Sequence, residues 1–243
     1  MKALIHRLLY RTLSLESYLR VVSRIYFICM RLGIGRRSEA MEYAYHLPKL
    51  LRKGDVCIDI GANLGYYSRP LAKIVGSTGR VYAVEPVPII GKVLRRNLRG
   101  CDNVEILPYA LGEQTRRITM TNSSALQTGY FGTGQNRVDD APSHEGTTFE
   151  AEMRRGSELF SEVECIDFIK CDIEGYELHV MREMRPLLER HRPTILIESG
   201  GENRRAIIEM FRELGYEAFM LVEGHEVPLD EASTKDIIFR VKH

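Results

Sequence analysis

The sequence predicts an α/β protein in which helices cover both faces of a doubly wound, mostly parallel sheet. Short apolar runs typical of strands alternate with stretches of helical periodicity over most of the 243 residues. A glycine-containing turn follows the first apolar run, where open parallel sheets bind their ligands. The last two predicted strands have no helix between them, so we expect them to pair in the antiparallel direction.

Apolar periodicity defines the individual elements, and glycines and prolines mark their ends. The predicted strands cover residues 56–60, 80–85, 104–107, 166–171, 194–198, 217–222 and 236–241. The predicted helices cover residues 66–75, 89–98, 175–190 and 203–214. Pro86 and Pro88 end the second strand, because proline cannot donate a hydrogen bond to a sheet.

Residues 1–40 form a basic helical arm ahead of the folded domain, which we assign to residues 41–243. The arm has eight Lys or Arg against two Asp or Glu, so it carries +6 and the remainder −5. Apolar residues recur there at helical spacing and arginines occupy another face: Leu15, Leu19, Val22, Tyr26 and Cys29 against Arg20, Arg24 and Arg31. Either this helix lies on the domain, or residues 1–36 contact an anionic membrane surface or an acidic partner.

The composition bounds the location of the protein. The apolar segment 19–34 is too short and too charged to span a bilayer, and no small-residue cleavage site follows it as a signal peptide would require. The five cysteines form no C-x-x-C pair, which favours reduced thiols in a cytosolic protein. We expect a cytoplasmic protein that can also lie peripherally at the inner face of the membrane.

The segment 121–148 interrupts the alternation of strands and helices. It is rich in Gly, Ser, Thr and Asn, and a connection of this length in a compact domain is usually a functional lid or a disordered tether. We interpret it as a lid or insertion. Because the folded domain is nearly neutral, the sequence gives no electrostatic reason to expect general nucleic-acid binding.

The stretch DIGANLGYYS, residues 59–68, predicts the ligand of the first turn. Its glycines, Gly61 and Gly65, follow a G-x-x-x-G spacing rather than the G-x-G-x-x-G of a dinucleotide site. Asp59 lies two residues before Gly61, where a carboxylate would repel a pyrophosphate but favour an ammonium or sulfonium group. The turn therefore predicts a pocket for S-adenosyl-L-methionine, which carries both cationic groups.

Two further segments complete the predicted cofactor pocket. Glu85 ends the second strand 24 residues after Gly61, where a carboxylate can accept hydrogen bonds from both ribose hydroxyls. The third strand is followed by PYALG, and we expect the backbone at Tyr109, Ala110 and Leu111 to line an adenine slot.

Five blocks together resemble the FkbM-type S-adenosylmethionine-dependent methyltransferases. The blocks are GDVCIDIGANLGYYS, VYAVEPVP, NV…ALG, FIKCDIEGYE and PTILIES, and the match covers about residues 40–241. The resemblance implies a seven-stranded Rossmann-like sheet with an antiparallel last strand, and O-methylation of a sugar or polyketide hydroxyl. The cofactor-binding residues expected from these blocks are Asp59, Gly61, Ala62, Asn63, Gly65, Glu85, Pro86, Ala110 and Leu111.

The block IKCDIEGYE supplies the candidate catalytic residues. Lys170, Asp172 and Glu174 occupy alternate positions at a strand end, so we expect their charges to converge. Asp172 is the candidate that accepts the proton or holds the acceptor hydroxyl, and Lys170 would keep it ionised or stabilise a developing alkoxide. Glu174 is either a third member of this group or a helix cap. Glu198, at the next strand end, is the fourth catalytic candidate.

A metal is not expected, but the alternative is defined. Asp172 and Glu198 would hold Mg²⁺ together with Glu202 or Asn203. Lone histidines are more often satisfied structural residues than bases, which applies to His46, His144, His179 and His225.

The sequence predicts an O-methyltransferase that acts on a hydroxyl of a glycan, a lipid-linked sugar or a secondary metabolite. An RNA or protein methyltransferase on the same fold, and a cofactor-binding module without catalysis, are the alternatives.

Overall fold

The computed structural model describes residues 2–139, 145–198, 200–201 and 203–242. Within these ranges the helices are α1 (Lys2–Thr12), α2 (Leu15–Arg31), α3 (Glu42–Leu50), α4 (Ser68–Val75), α5 (Pro88–Asn97), α6 (Ser124–Thr128), α7 (Gly156–Leu159), α8 (Glu177–Glu183), α9 (Arg185–His191) and α10 (Asn203–Glu213). The strands are β1 (Val56–Ile60), β2 (Arg80–Val84), β3 (Val104–Leu107), β4 (Tyr109–Leu111), β5 (Arg116–Asn122), β6 (Arg137–Asp139), β7 (Thr147–Arg154), β8 (Phe168–Cys171), β9 (Thr194–Ile197), β10 (Tyr216–Val222), β11 (His225–Pro228) and β12 (Ile237–Val241).

The main sheet confirms the predicted fold class. Eight strands of the described chain form it, in the order β11-β10-β12-β9-β8-β1-β2-β3. The strands β3, β2, β1, β8 and β9 are parallel, and β12 runs antiparallel to both of its neighbours. The seven predicted strands are all present, and the last two pair with each other as expected.

The eighth strand, β11, was not expected. It pairs with the outer edge of β10 through a two-residue hairpin loop, because Val222 lies opposite His225. The loop residues Glu223 and Gly224 have φ values of 52° and 79°, as a type I′ turn requires. The sequence argument placed a turn at Gly224 but overlooked the short strand after it.

The predicted helix 175–190 is divided into α8 and α9. Pro186 lies in the first turn of α9, where proline is accepted, and Met184 is the residue at which the two helices join. Because Pro186 has no N–H, it could not continue the hydrogen bonding of a single helix.

A second sheet of order β4-β7-β5-β6 includes β6 and the adjoining ends of β5 and β7 from the segment 121–148. The strand β5 alternates buried Ile118, Met120 and Asn122 with more exposed residues, and it pairs antiparallel with β6 and β7. This alternation over residues 116–122 predicts a strand, but the polar residues that follow made it hard to recognise. Whether the segment moves as a lid stays a prediction.

The N-terminal arm packs against the domain through α2. Tyr18 and Leu19 are buried in a cluster that includes Leu64, Ile90 and Phe131. The Tyr18 hydroxyl donates a hydrogen bond of 3.2 Å to the Phe131 carbonyl. The described part of the chain contains no helix with the length and apolarity that a membrane span needs.

Alternation along the strands divides the side chains of the main sheet between two cores. In β1, Ile58 and Ile60 face a cluster under α8 to α10, whereas Cys57 faces the cluster of α3 and α4. Phe168 and Leu196 share the face of Cys57. Side chains on one face of a strand are two residues apart, so the next residues on this face are Asp59, Lys170 and Glu198 at the carboxyl edge of the sheet. These charged residues belong to the site described below.

Gly61 is the first residue of this edge that we expect to be irreplaceable. It has φ +80°, and an added Cβ would lie 2.0 Å from the Asp172 carbonyl oxygen. Gly100 also has φ +80° but has no atom within 4 Å of an added Cβ. We expect Gly100→Ala to lower the free energy of unfolding by about 1 kcal/mol and Gly61→Ala by about 3 kcal/mol or more. Urea unfolding of both variants measures the difference, and equal losses would contradict the steric explanation.

Candidate active site

A pocket of about 640 Å³, its open mouth included, lies at the carboxyl ends of β1, β2 and β8. Its wall is completed by β4, by parts of β5 and β6 in the second sheet, and by the loop before β6. Six of the nine predicted cofactor residues line it, namely Gly61, Asn63, Glu85, Pro86, Ala110 and Leu111. Asp172 and Glu174 line the same pocket. The structure therefore brings the two predicted groups of residues into one cavity.

The turn after β1 is tight, and it directs backbone groups towards its neighbours. The N–H groups of Gly61 and Ala62 both donate to the Val84 carbonyl, at 3.0 and 2.9 Å. Asn63 has φ +51°, and its buried side-chain oxygen Oδ1 has no hydrogen-bond partner among the described residues. A buried acceptor on the pocket wall fits a ligand that donates a hydrogen bond.

Asp59 does not point into the turn, which corrects the geometry assumed from the sequence. It lies on the same strand face as Cys57, its side chain is buried, and its Oδ2 accepts a hydrogen bond of 2.5 Å from Ser68 Oγ. Burial raises its pKa to about 6. Asp59 therefore lies behind the pocket wall, where its charge acts through distance rather than by contact.

Gly65 and Ala62 also have structural rather than lining positions. An added Cβ at Gly65, which has φ +87°, would lie 3.1 Å from Leu94 Cδ1 of α5. Ala62 is buried in a cluster with Ala83 and Leu94. Both small residues let the turn pack closely on α5, so their part in cofactor binding stays a prediction.

Glu85 holds the far side of the pocket turn. Its Oε2 accepts a hydrogen bond from the Asn63 N–H, and its Oε1 accepts one from the Val87 N–H, both at 2.9 Å. Burial raises the pKa of Glu85 to about 7, although these two hydrogen bonds oppose the rise. Two backbone donors fix the carboxylate, and its remaining acceptor capacity is available to ligand hydroxyls.

The main feature of the site is the buried ammonium of Lys170. Its Nζ lies 3.2 Å from Asp172 Oδ2 and 5.0 Å from the centre of the Tyr67 ring. Burial alone would lower the pKa of Lys170, but the carboxylates of Asp172, Asp236, Glu198 and Asp59 raise it above its ordinary value. Lys170 is therefore a permanent cation and not a proton acceptor.

Asp172 and Glu198 form a pair with unequal proton affinity. Burial favours the neutral form of Asp172, but Lys170 and a hydrogen bond with Glu198 lower its pKa. The pKa of Glu198 is raised to about 8, because partial burial and the neighbouring Asp172 oppose a second negative charge. The pKa of Asp172 is thus lowered and that of Glu198 raised, which favours Asp172 as the ionised member of the pair.

Glu174 faces the pocket, and Glu177 caps the turn. Glu174 lies beyond the strand in a left-handed conformation, with φ +58°, so strand alternation does not place it. Burial and Asp172 raise its pKa to about 7. Oε1 of Glu177, which the sequence argument overlooked, accepts the N–H groups of Ile173 and Gly175, each at 3.0 Å. The cap alternative for Glu174 is therefore wrong.

Asp236 is the main contributor that the sequence did not predict. Asp236 precedes the antiparallel strand β12, whose first residues lie at the carboxyl edge of the parallel strands. Burial raises its pKa to about 6, and Lys170 opposes the rise. The direction of β12 could have identified it. Thr133, Gly134, Asn136 and Val138, which also line the pocket, lie in the segment 121–148 interpreted as a lid, although no motif predicted them individually.

The alternative Mg²⁺ site does not fit this arrangement. The Lys170 ammonium already lies beside Asp172, where a cation held with Glu198 would be placed. Asn203 donates its side-chain N–H to the Gly175 carbonyl at 3.2 Å, and Glu202 lies outside the described residues. Within the described ranges, no three His, Cys, Asp or Glu side chains are grouped to hold a metal. The expectation of a metal-free site stays a prediction.

The described histidines are absent from the pocket wall. His46 is buried and lies 2.6 Å from Glu226. His179 stacks on Tyr176, with ring centres 4.7 Å apart, and His225 begins β11. His144 lies outside the described residues. These positions agree with the structural interpretation of the described histidines.

The acidic edge predicts an unusual dependence of stability on pH. The pKa values of Asp59 and Asp236 are raised to about 6, those of Glu85 and Glu174 to about 7, and that of Glu198 to about 8. Each group binds its proton more tightly when folded, so its contribution to stability is complete below the unfolded pKa of about 4. That contribution is lost as the pH rises through the folded value.

We expect the melting temperature without ligand to fall by roughly 5 °C between about pH 6 and about pH 8.5. Differential scanning calorimetry measures it, and Glu198→Gln should flatten the upper part of the curve. A melting temperature that rises over this interval would contradict the assignment of these protonation states.

Comparison with known proteins agrees with the predicted family. A protein-L-isoaspartate O-methyltransferase of Archaeoglobus fulgidus is 37% identical over 59 residues, which are 24% of this chain and 27% of that protein. A protein-L-isoaspartate O-methyltransferase of Aeropyrum pernix is 35% identical over 87 residues, which are 35% of this chain and 34% of that protein. The match thus spans only about a quarter to a third of these curated relatives.

The crystal structure of Methyltransferase FkbM from Methylobacillus flagellatus KT superposes with a TM-score of 0.53 at 18% identity. The superposition covers 79% of this chain and 45% of that chain, and at this identity it supports the fold alone. The profile of the Methyltransferase FkbM domain matches residues 59–218, which is most of the chain. The chain therefore belongs to the FkbM family of S-adenosylmethionine-dependent methyltransferases.

Proposed function

We propose that this protein transfers the methyl group of S-adenosyl-L-methionine to a hydroxyl oxygen of a glycan, a lipid-linked sugar or a secondary metabolite. The observation that carries the proposal is the acidic pocket edge. With Asp59, Asp172 and Asp236 ionised and Lys170 charged, this edge is net negative at neutral pH. A cationic ligand is favoured there, and a polyphosphate is repelled.

The residues on the pocket wall fit this methyl donor. Glu85 can accept the ribose hydroxyls, and Ala110 and Leu111 line the slot assigned to adenine. The buried Oδ1 of Asn63 has no partner among the described residues, and it suits the donor's ammonium group. When bound, the donor supplies an electrophilic methyl group on a sulfonium centre.

Asp172 is the residue that we assign to the acceptor. The acceptor oxygen forms a bond to the methyl carbon while the carbon–sulfur bond breaks, and the hydroxyl proton passes to Asp172. The products are a methyl ether and the neutral thioether of the spent donor. Lys170 keeps Asp172 ionised before the reaction, and Glu198 can donate a hydrogen bond that orients it.

Glu85→Ala should weaken binding of S-adenosyl-L-methionine at least about tenfold. The substitution removes the carboxyl group that accepts hydrogen bonds from the two ribose hydroxyls. Glu105→Ala is the matched control on the neighbouring strand, since Glu105 forms an exposed ion pair with Arg80. Isothermal titration calorimetry measures both affinities. Unchanged binding in Glu85→Ala, or tight binding of NAD by the wild type, would contradict the proposed pocket.

Asp172→Asn should lower the turnover number by roughly 10² to 10⁴, because it removes the proton acceptor and keeps the shape of the side chain. The dissociation constant of the methyl donor should rise by no more than about tenfold, because Asp172 is one of three negative charges at the edge and its main role is on the acceptor. Turnover is measured as transfer of an isotopically labelled methyl group into fractionated cell extract.

The same assay tests the acceptor class. Label is expected in the glycan, lipid or small-molecule fractions, and its absence with Asp172→Asn is the control for specific transfer. Label confined to the protein or RNA fraction would overturn the acceptor class. Full turnover by Asp172→Asn would overturn the catalytic role of Asp172.

A further inference from the structure

The exposed apolar side chains of this protein are concentrated on the N-terminal arm. Seven large apolar residues there are between 49% and 71% exposed, and elsewhere the described residues add Leu126 and Val222. The seven are Leu4, Ile5, Leu8, Ile25, Ile28, Leu32 and Ile34. Single exposed apolar residues are normal, but a cluster on one segment indicates an interaction site.

Helical geometry places Leu4 and Leu8 on the outer side of α1. On α1, His6 and Tyr10 face inward, because both rings pack on Tyr18. Leu4 and Leu8 point away from them, four residues apart on the opposite face. The inner face of α1 therefore holds the arm to the domain, and the outer face is left to solvent.

The exposed stripe continues from α1 onto α2. Tyr18 and Ile25 are seven residues apart, so they lie two turns from each other on one face of α2. Helix α1 packs on Tyr18, so α1 lies against the face of α2 that carries Tyr18 and Ile25. Ile25 and the neighbouring Ile28 are exposed on this side of α2. The apolar residues of the two helices thus belong to one surface.

Exposed arginines are interspersed with these apolar residues along the arm, although Arg7 Nε donates to the Thr128 carbonyl and Arg36 lies over the Tyr45 ring. The exposed charged residues between positions 3 and 37 are Arg7, Arg11, Arg24, Arg31, Arg36 and Arg37. Glu16 is partly covered and paired with Lys92 at 2.6 Å. We define the arm surface as these six arginines with the seven exposed apolar residues. Apolar residues bordered by cations match a bilayer that has anionic headgroups above an apolar interior.

We propose that the arm surface docks this protein on an anionic lipid bilayer. Its apolar residues insert at the boundary between headgroups and acyl chains, and its arginines contact lipid phosphates. Neither feature would suffice alone, because stable peripheral binding generally needs both apolar insertion and a basic patch.

Docking would also fix the pocket close to the bilayer. Tyr26 of α2 packs on Tyr66, with ring centres 4.2 Å apart, and Tyr66 interacts through its hydroxyl with Thr133 of the pocket wall. Two successive side-chain contacts, Tyr26 with Tyr66 and Tyr66 with Thr133, thus connect the arm to the pocket. Their combined span is about one to two helix diameters, roughly 10–20 Å.

Cosedimentation of the full chain with lipid vesicles tests the proposal. We expect binding to vesicles that contain roughly one third phosphatidylglycerol, no binding to pure phosphatidylcholine, and loss of binding at high salt. Substitutions are preferable to deletion of the arm, because Tyr18 and Leu19 are buried in the core.

Arg24→Glu with Arg31→Glu should lower the vesicle partition coefficient at least about tenfold. The matched control is Arg205→Glu with Arg212→Glu, which also reverses two exposed charges seven residues apart on a helix. For the apolar part, Leu8→Ser with Ile28→Ser should cause a similar loss, and Val222→Ser should not. Thermal melting checks that each variant is folded.

Three results would overturn the proposal: no binding to the anionic vesicles, equal losses in the control variants, or a wild-type dimer that Leu8→Ser with Ile28→Ser dissociates. The dimer would show that a second copy, and not a bilayer, covers the arm surface. The assay needs neither methyl donor nor acceptor. Its failure would therefore leave the proposed function standing.

Discussion

The burial of one ammonium group, that of Lys170, organises the carboxyl edge of the main sheet. An isolated charge removed from water costs several kcal/mol, so a buried lysine must be surrounded by negative charge or become neutral. Here β1, β8, β9 and β12 each bring a carboxylate towards it, in Asp59, Asp172, Glu198 and Asp236. The ammonium joins four strand ends, and in return it keeps Asp172 ionised.

Four carboxyl groups lie near the single ammonium group, so negative charge exceeds positive charge at this edge of the sheet. Burial raises the pKa values of Asp59, Glu198 and Asp236, and because Lys170 balances only part of the negative charge, these carboxyl groups retain their protons to higher pH than usual. Such an edge is held in a state that additional positive charge would stabilise. A sulfonium ligand in the adjacent pocket would supply that charge, which connects the folding energetics to the proposed reaction.

Part of the pocket wall depends on segments outside the main sheet. The loop between α6 and β6 supplies Thr133 and Gly134 to the pocket wall. From α2, Tyr18 donates to the Phe131 carbonyl of this loop, and Tyr26 packs on Tyr66. An apolar and basic outer surface on the arm is therefore mechanically connected to the pocket. The ends of β1, β2 and β8 form one part of the wall, and β4 with these added segments forms the rest.

The sequence by itself determined the class of the fold, the position of the pocket and six of the nine predicted cofactor residues as residues that line it; their role in binding the cofactor stays a prediction. Those signals are local, because the turn after β1 and the end of β2 each lie within a few residues of an apolar strand. The tertiary structure alone decided that Asp59 lies behind the pocket, that Glu177 rather than Glu174 caps the turn, and that Asp236 joins Lys170. These facts depend on strand direction, side-chain burial and contacts between residues distant in sequence, and no spacing along the chain encodes them.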